Sequence, residues 1–176
     1  MEFFGVIALV LVGLGLFSFV VTVEAAVRTA PFAASPPAVV QQALALVELA
    51  PGELVVDLGC GDGRVLVAAV RAGARGVGYE LSPHRTALAV LTVRRAGVRD
   101  RAKVVWGDLF NADIRDADVA FVWLTPKARA LEAKLRSELK PGARVVVRSN
   151  PVFPTWKPER TEPVPGGGSL SLYRQN

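Results

Sequence analysis

The chain has 176 residues, 51% of them hydrophobic, with a mean hydropathy of +0.35 and a formal charge of +5. High apolar content with modest charge excludes intrinsic disorder. One cysteine excludes a disulfide scaffold, and a lone Cys60 with a lone His84 falls short of the four ligands of a structural zinc site. All basic residues lie at Arg28 or later, whereas Glu2 and Glu24 precede it. The region from Arg28 onward is therefore more basic than the chain as a whole, which suits nucleic acid or an anionic lipid surface.

The N-terminal segment from Phe3 to Val23 has no charged residue. As one helix it would measure roughly 31 Å, against a hydrocarbon core about 30 Å thick. A cleaved signal peptide should start with basic residues, and here only Met1-Glu2 precedes the run. The sequence thus predicts a transmembrane anchor over residues 1–27. The basic residues that follow predict a single pass in the inner, cytoplasmic membrane, with the C-terminal part on the cytoplasmic side. A linker and pre-core motif over 28–37 would lead into one domain over 38–176.

Within that domain Pro36-Pro37 opens a helical pattern over Ala38 to Leu49, ended by Pro51-Gly52. Glu53 to Leu58 is a short apolar run, the mark of a buried parallel strand. A glycine turn over Gly59 to Gly63 leads to a helix from Arg64 to Ala72. A second strand spans Gly76 to Glu80, and Ser82-Pro83 start a helix that reaches about Ala96. Strands follow over Ala102 to Trp106, Val119 to Leu124 and Ala143 to Arg148. A helix from Pro126 to Leu139 separates the last two. Glu159 to Val164 and Ser169 to Arg174 flank Pro165-Gly166-Gly167-Gly168 and read as a hairpin. Strand-helix alternation of this kind predicts an α/β, doubly wound, Rossmann-like sheet.

The glycine turn, Asp57-Leu58-Gly59-Cys60-Gly61-Asp62-Gly63, falls between a strand and a helix, where open α/β sheets bind ligands. A dinucleotide fingerprint is Gly-x-Gly-x-x-Gly, and Arg64 stands at its third glycine position. Asp57 and Asp62 would repel a pyrophosphate. No Walker lysine is present. Glu80 ends the next strand, at the distance where an acid accepts hydrogen bonds from ribose hydroxyls. Asp108 follows the third strand. Three acids at one sheet edge suit a cationic nucleoside better than a phosphate. Cys60 reads as a small residue at a variable turn position, since a catalytic thiol needs a neighbouring base.

These residues, with Gly107-Asp108, resemble the cofactor site of class I, seven-stranded S-adenosylmethionine-dependent methyltransferases. The resemblance implies a cofactor site of Asp57, Gly59, Cys60, Gly61, Asp62, Gly63, Glu80, Leu81, Asp108 and Leu109. The turn and Asp57 would hold the methionine moiety, Glu80 the ribose, and Asp108 with Leu109 the adenine. The product would be S-adenosylhomocysteine. A narrower resemblance adds the apolar N-terminal span, Pro31 to Pro36, Trp123-Leu124-Thr125-Pro126, Leu135 to Gly142 and Phe153 to Pro158. These are similar to the membrane-anchored protein-lysine methyltransferases of the ATP synthase c subunit and adenine nucleotide translocase group. Ala33 and Ala34 depart from that group's pre-core motif, while Phe32, Ser35 and Pro36 match it.

That resemblance implies a lysine of a membrane protein as methyl acceptor, with Phe32, Ser35, Trp123, Thr125 and Pro126 lining its site. No catalytic residue and no metal ligand is assigned. A methyltransferase for a lipid-soluble small molecule is the alternative. A nucleic-acid methyltransferase is disfavoured because no Asn/Asp-Pro-Pro-aromatic group is present. Phe153 and Trp156 would either meet the membrane interface or cover the sheet edge. Arg94, Arg95, Arg99, Arg101 and Lys103 form a basic cluster, solvated or resting on anionic headgroups.

Overall fold

The computed structural model describes residues 5–7, 11–20, 35–123, 127–148 and 153–176. In chain order its elements are α1 (Pro37–Leu46), β1 (Leu54–Leu58), α2 (Arg64–Arg71), β2 (Arg75–Glu80), α3 (Pro83–Arg95) and β3 (Ala102–Trp106). A 3-10 turn (Leu109–Asn111) follows, then β4 (Val119–Trp123), α4 (Ala128–Glu138), β5 (Arg144–Arg148), β6 (Arg160–Pro163) and β7 (Ser169–Arg174).

Seven strands form one sheet in the order β3-β2-β1-β4-β5-β7-β6. β1 to β5 run parallel, β7 pairs antiparallel with β5, and β6 closes the edge as the expected hairpin partner of β7. The order reverses at β1, which has β2 on one side and β4 on the other. Such a reversal opens a crevice beyond the carboxyl ends of the strands.

Alternation along each strand divides the core between the two faces. On one face Val55, Val119, Phe121, Val146 and Leu170 pack against Val39, Ala43 and Leu44 of α1 and Val65 and Ala69 of α2. On the other, Val56, Leu58, Ala120, Val122, Val145 and Val147 meet Leu131, Leu135 and Leu139 of the α4 region. Phe121 and Leu131 are wholly buried, a burial that stabilises by about 1.5–3 kcal/mol for each such side chain. Phe153 and Trp156 stack at 5.7 Å and both lie against Tyr173 of β7, so they cover the sheet next to α4. Thr155 between them donates through its N–H and hydroxyl to buried Glu132 of α4.

The expected transmembrane helix requires correction. Among the described residues no helix is long and apolar enough to cross a membrane. The longer described stretch there, residues 11–20, is helical, and ten helical residues reach about 15 Å, half the hydrocarbon thickness. Absence of charge over Phe3 to Val23 gave the run its membrane-like length, but charge and hydropathy count residues rather than measure a helix.

Two helix ends have instructive chemistry. α1 closes in a Schellman pattern, with Leu49 N–H on the Leu44 carbonyl at 3.2 Å and Glu48 N–H on the Ala45 carbonyl at 3.0 Å. The pattern puts Glu48 in the left-handed region at φ 50°, a place usually left to glycine. Arg144 at the start of β5 donates to the Val47 carbonyl at 2.5 Å and also pairs with Glu53. A cation thus meets the negative end of the α1 dipole. Ser82 occupies the N-cap of α3 without a capping side-chain hydrogen bond. Its N–H instead donates to Glu80.

Candidate active site

The glycine turn leaves β1 at the point where the strand order reverses. Gly59, Gly61 and Gly63 all have positive φ, at 96°, 56° and 81°. A Cβ on Gly59 would stand in open space, whereas one on Gly63 would press on the backbone of Ala89 at 3.2 Å. Space is therefore open beside Gly59 at the carboxyl end of β1, and Gly63 lets α2 begin close against α3. The turn is tied to β2 by the Gly59 and Cys60 N–H groups, both donating to the Tyr79 carbonyl, and is closed by Gly63 N–H on the Cys60 carbonyl.

Cys60 thus uses both backbone groups to build the turn. Its side chain is buried with Leu66 and Ala89 and fills the place that a Cβ on Gly78 would need, 2.7 Å away. Burial pushes the thiol far above its ordinary range, helped by the charges of Asp57 and Glu80. A thiol held neutral in this way is neither nucleophile nor base.

Asp57 is completely buried, and neither carboxylate oxygen finds a hydrogen-bond partner among the described residues. Burial first, then the charges of Glu80 and Asp62, push its pKa up to about 8. A buried carboxylate without a partner is costly unless a ligand completes it. Glu80, also buried, accepts from Gly61 N–H at 3.0 Å and from Ser82 N–H at 2.8 Å. It locks the turn to the start of α3, and each oxygen keeps lone-pair capacity for a further donor. Asp108 caps the 3-10 turn by accepting from Phe110 N–H at 2.9 Å. The side chain of Leu109 lies in the core. The Leu81 carbonyl accepts from the indole of exposed Trp106 at 2.9 Å.

Asp62 is held differently from Asp57. Arg64 forks its carboxylate, with contacts of 2.5 to 3.0 Å. Burial would raise the pKa of Asp62, but these hydrogen bonds outweigh it and hold the carboxyl below its usual range. Arg64 also donates to the Ser35 carbonyl at 2.8 Å, and Arg148 at the end of β5 donates to the Ser35 hydroxyl at 3.1 Å. Buried Ser35 is thereby pinned between the glycine turn and β5. Neither arginine stood out in the sequence as part of the site. The signals that could have found them are Arg64's place directly after the turn and the strand alternation that puts Arg148 on the face of Asp57.

Trp123 ends β4 and packs against Phe121, ring centroids 6.0 Å apart, on the α1–α2 face. Its indole nitrogen is buried without a partner among the described residues. Phe32, Thr125 and Pro126 lie outside the described residues.

The open space beside Gly59, the orphaned Asp57 carboxylate and the three further acids, of which Asp62 already holds the nearby Arg64 guanidinium, fit a cationic amino-acid nucleoside better than a pyrophosphate. Solved structures agree. An RNA methyltransferase from Salinibacter ruber in complex with S-adenosyl-L-homocysteine superimposes with a TM-score of 0.75 at 35% sequence identity, over 81% of this chain and 93% of that one. Sheet order, glycine turn and this likeness define a class I methyltransferase, with S-adenosylmethionine as cofactor. The family model described as the ANTKMT methyltransferase domain matches residues 57–160, and the chain belongs to that family.

Among its relatives, a protein-lysine N-methyltransferase of Saccharolobus islandicus (strain REY15A) is 37% identical over 119 residues, 66% of this chain and 74% of that protein. The adenine nucleotide translocase lysine N-methyltransferase of Mus musculus is 40% identical over 130 residues, 73% of this chain. The chain spans about half the length of that mouse relative, at 56%.

Proposed function

We propose that this protein methylates the ε-amine of lysine in a protein substrate, and that the substrate is a membrane protein. The family match carries the reading, since the mouse relative is named for a lysine of adenine nucleotide translocase.

When bound, S-adenosylmethionine supplies a methyl group on a sulfonium, which an amine nitrogen takes in line while the carbon–sulfur electron pair stays with sulfur. The chain's task is then positioning and exclusion of water. Asp57 in its ionised form would hold an ammonium, Glu80 hydroxyl groups of the ribose, and Asp108 the purine edge. The apolar ring of Trp123 at the end of β4 favours a lysine that arrives neutral, because a low-dielectric wall disfavours its charged form.

The test is transfer of labelled methyl from S-adenosylmethionine to a membrane fraction. Label recovered as methyllysine after hydrolysis of the protein supports the proposal. Label confined to the organic extract would overturn it in favour of a lipid-soluble acceptor. A second reading, an RNA acceptor, is favoured by the Salinibacter neighbour and by the basic charge. Nuclease-sensitive label would select it.

A further inference from the structure

The described residues hold two buried side chains whose polar atoms lack any partner, Asp57 and Trp123. They are opposite in kind. Asp57 offers acceptors, and the indole of Trp123 is a donor only.

They also lie on one face of the sheet. Asp57 of β1 is level with Phe121 of β4, and Phe121 with Val146 of β5. Side chains alternate with a period of two, so Trp123 is the next residue on the same face toward the carboxyl edge. Level with Trp123 on β5 is Arg148. Neighbouring strands lie about 4.8 Å apart. On this face β1 therefore carries an acid, and β4 and β5, one side-chain level nearer the carboxyl edge, carry an indole N–H and a guanidinium. Arg148 spends one nitrogen on the Ser35 hydroxyl and makes no ion pair among the described residues.

An acceptor at one end and donors at the other match a zwitterion. The methionine end of the cofactor is one, with an α-ammonium and an α-carboxylate. We infer that the Trp123 indole N–H, assisted by Arg148, binds the α-carboxylate of the cofactor while Asp57 takes the α-ammonium. This rests on the cofactor assignment above and extends it to residues of β4 and β5. It gives the unpartnered indole nitrogen a role that a purely apolar wall would not need. It also explains why an acid-rich site holds a ligand that is itself half anionic: the acids and the donors stand on different strands.

Calorimetry tests the inference with two ligands. One is S-adenosylhomocysteine, and the other is 5′-(3-aminopropyl)thioadenosine, which is the same molecule without its carboxylate. The wild-type protein should prefer the first by about tenfold or more, the usual worth of a hydrogen bond to a charged group. Trp123→Phe keeps the apolar ring and removes the donor. It should weaken S-adenosylhomocysteine by about tenfold and leave the decarboxylated ligand unchanged. Arg148→Met should narrow the preference in the same sense, and provides the measurement if Trp123→Phe does not fold. Equal loss for both ligands in both variants would mark the residues as packing elements and overturn the inference. An unchanged preference would overturn it too. Failure of the wild type to bind either ligand would bring down the cofactor assignment itself, and the inference with it.

Discussion

Arg64 and Ser35, 29 positions apart in the chain, are joined by a 2.8 Å hydrogen bond from the guanidinium to the serine carbonyl. The same guanidinium forks Asp62, so one side chain ties the segment before α1 to the glycine turn. Its removal leaves Asp62 half-buried without that cation and Ser35, among the described residues, with the Arg148 contact only. Arg64→Met should weaken S-adenosylhomocysteine binding about tenfold. Calorimetry with the variant checks this, and an unchanged affinity would mean that the turn keeps its shape without the clasp.

Asp57 makes the unliganded protein sensitive to pH. Its folded pKa, pushed up to about 8, lies above the ordinary value of 3.8. Between those values the unfolded chain has released the proton and the folded one keeps it, so stability falls as pH rises through that window. Thermal melts of the unliganded protein from pH 5 to 8.5 should show a declining midpoint. In Asp57→Asn that decline should flatten. A wild-type midpoint that climbs across the window would contradict the assignment.

Cofactor affinity should run the opposite way. Binding an ammonium requires the Asp57 carboxylate, so affinity for S-adenosylhomocysteine should rise as pH increases from 6 toward 8, with uptake of ligand coupled to release of a proton. Titrations in buffers of different ionisation enthalpy would detect that proton. Asp57→Asn should lose affinity by roughly 10- to 100-fold and release none.

Gly78 and Cys60 share one space. A methyl group at Gly78 would lie 2.6 Å from Leu66 and 2.8 Å from the Cys60 Sγ, the atom that Cys60→Ala removes. Gly78→Ala should destabilise the fold by about 1–3 kcal/mol. Adding Cys60→Ala should recover part of that loss, a coupling of at least about 0.5 kcal/mol in a double-mutant cycle. Strict additivity in urea melts would refute the shared packing.

Glu48 offers a gain. It sits at φ 50° where the Schellman end of α1 favours glycine. Glu48→Gly should raise stability by about 1 kcal/mol, read from the denaturation midpoint. A loss of stability would mean that the side chain makes contacts that outweigh the backbone strain.

The sheet was legible because its signals are local. β3 and β7 lie where their apolar runs end, at Trp106 and Arg174, and Pro-Gly or Gly punctuation fixes most helix ends to within a few residues. The Asp57 to Gly63 turn and Glu80 were legible because strand–turn–helix order places them at one edge. The Arg64–Ser35–Arg148 junction was not, since it joins residues 29 and 113 positions apart through side chains. Nor was the role of Cys60, which depends on the missing side chain of Gly78 across the neighbouring strand. The apolar N-terminal run misled because hydropathy counts residues, and among the described residues there no helix is long enough to cross a membrane.

The cofactor site is tested most directly by titrating the wild-type protein with S-adenosylhomocysteine, and separately with a nicotinamide dinucleotide, at pH 8. Saturable one-site binding of the first and no heat from the second is the expected outcome. Binding of the dinucleotide alone would mean that the acids around Gly59 do not select the ligand, and the account built on Asp57 would be wrong.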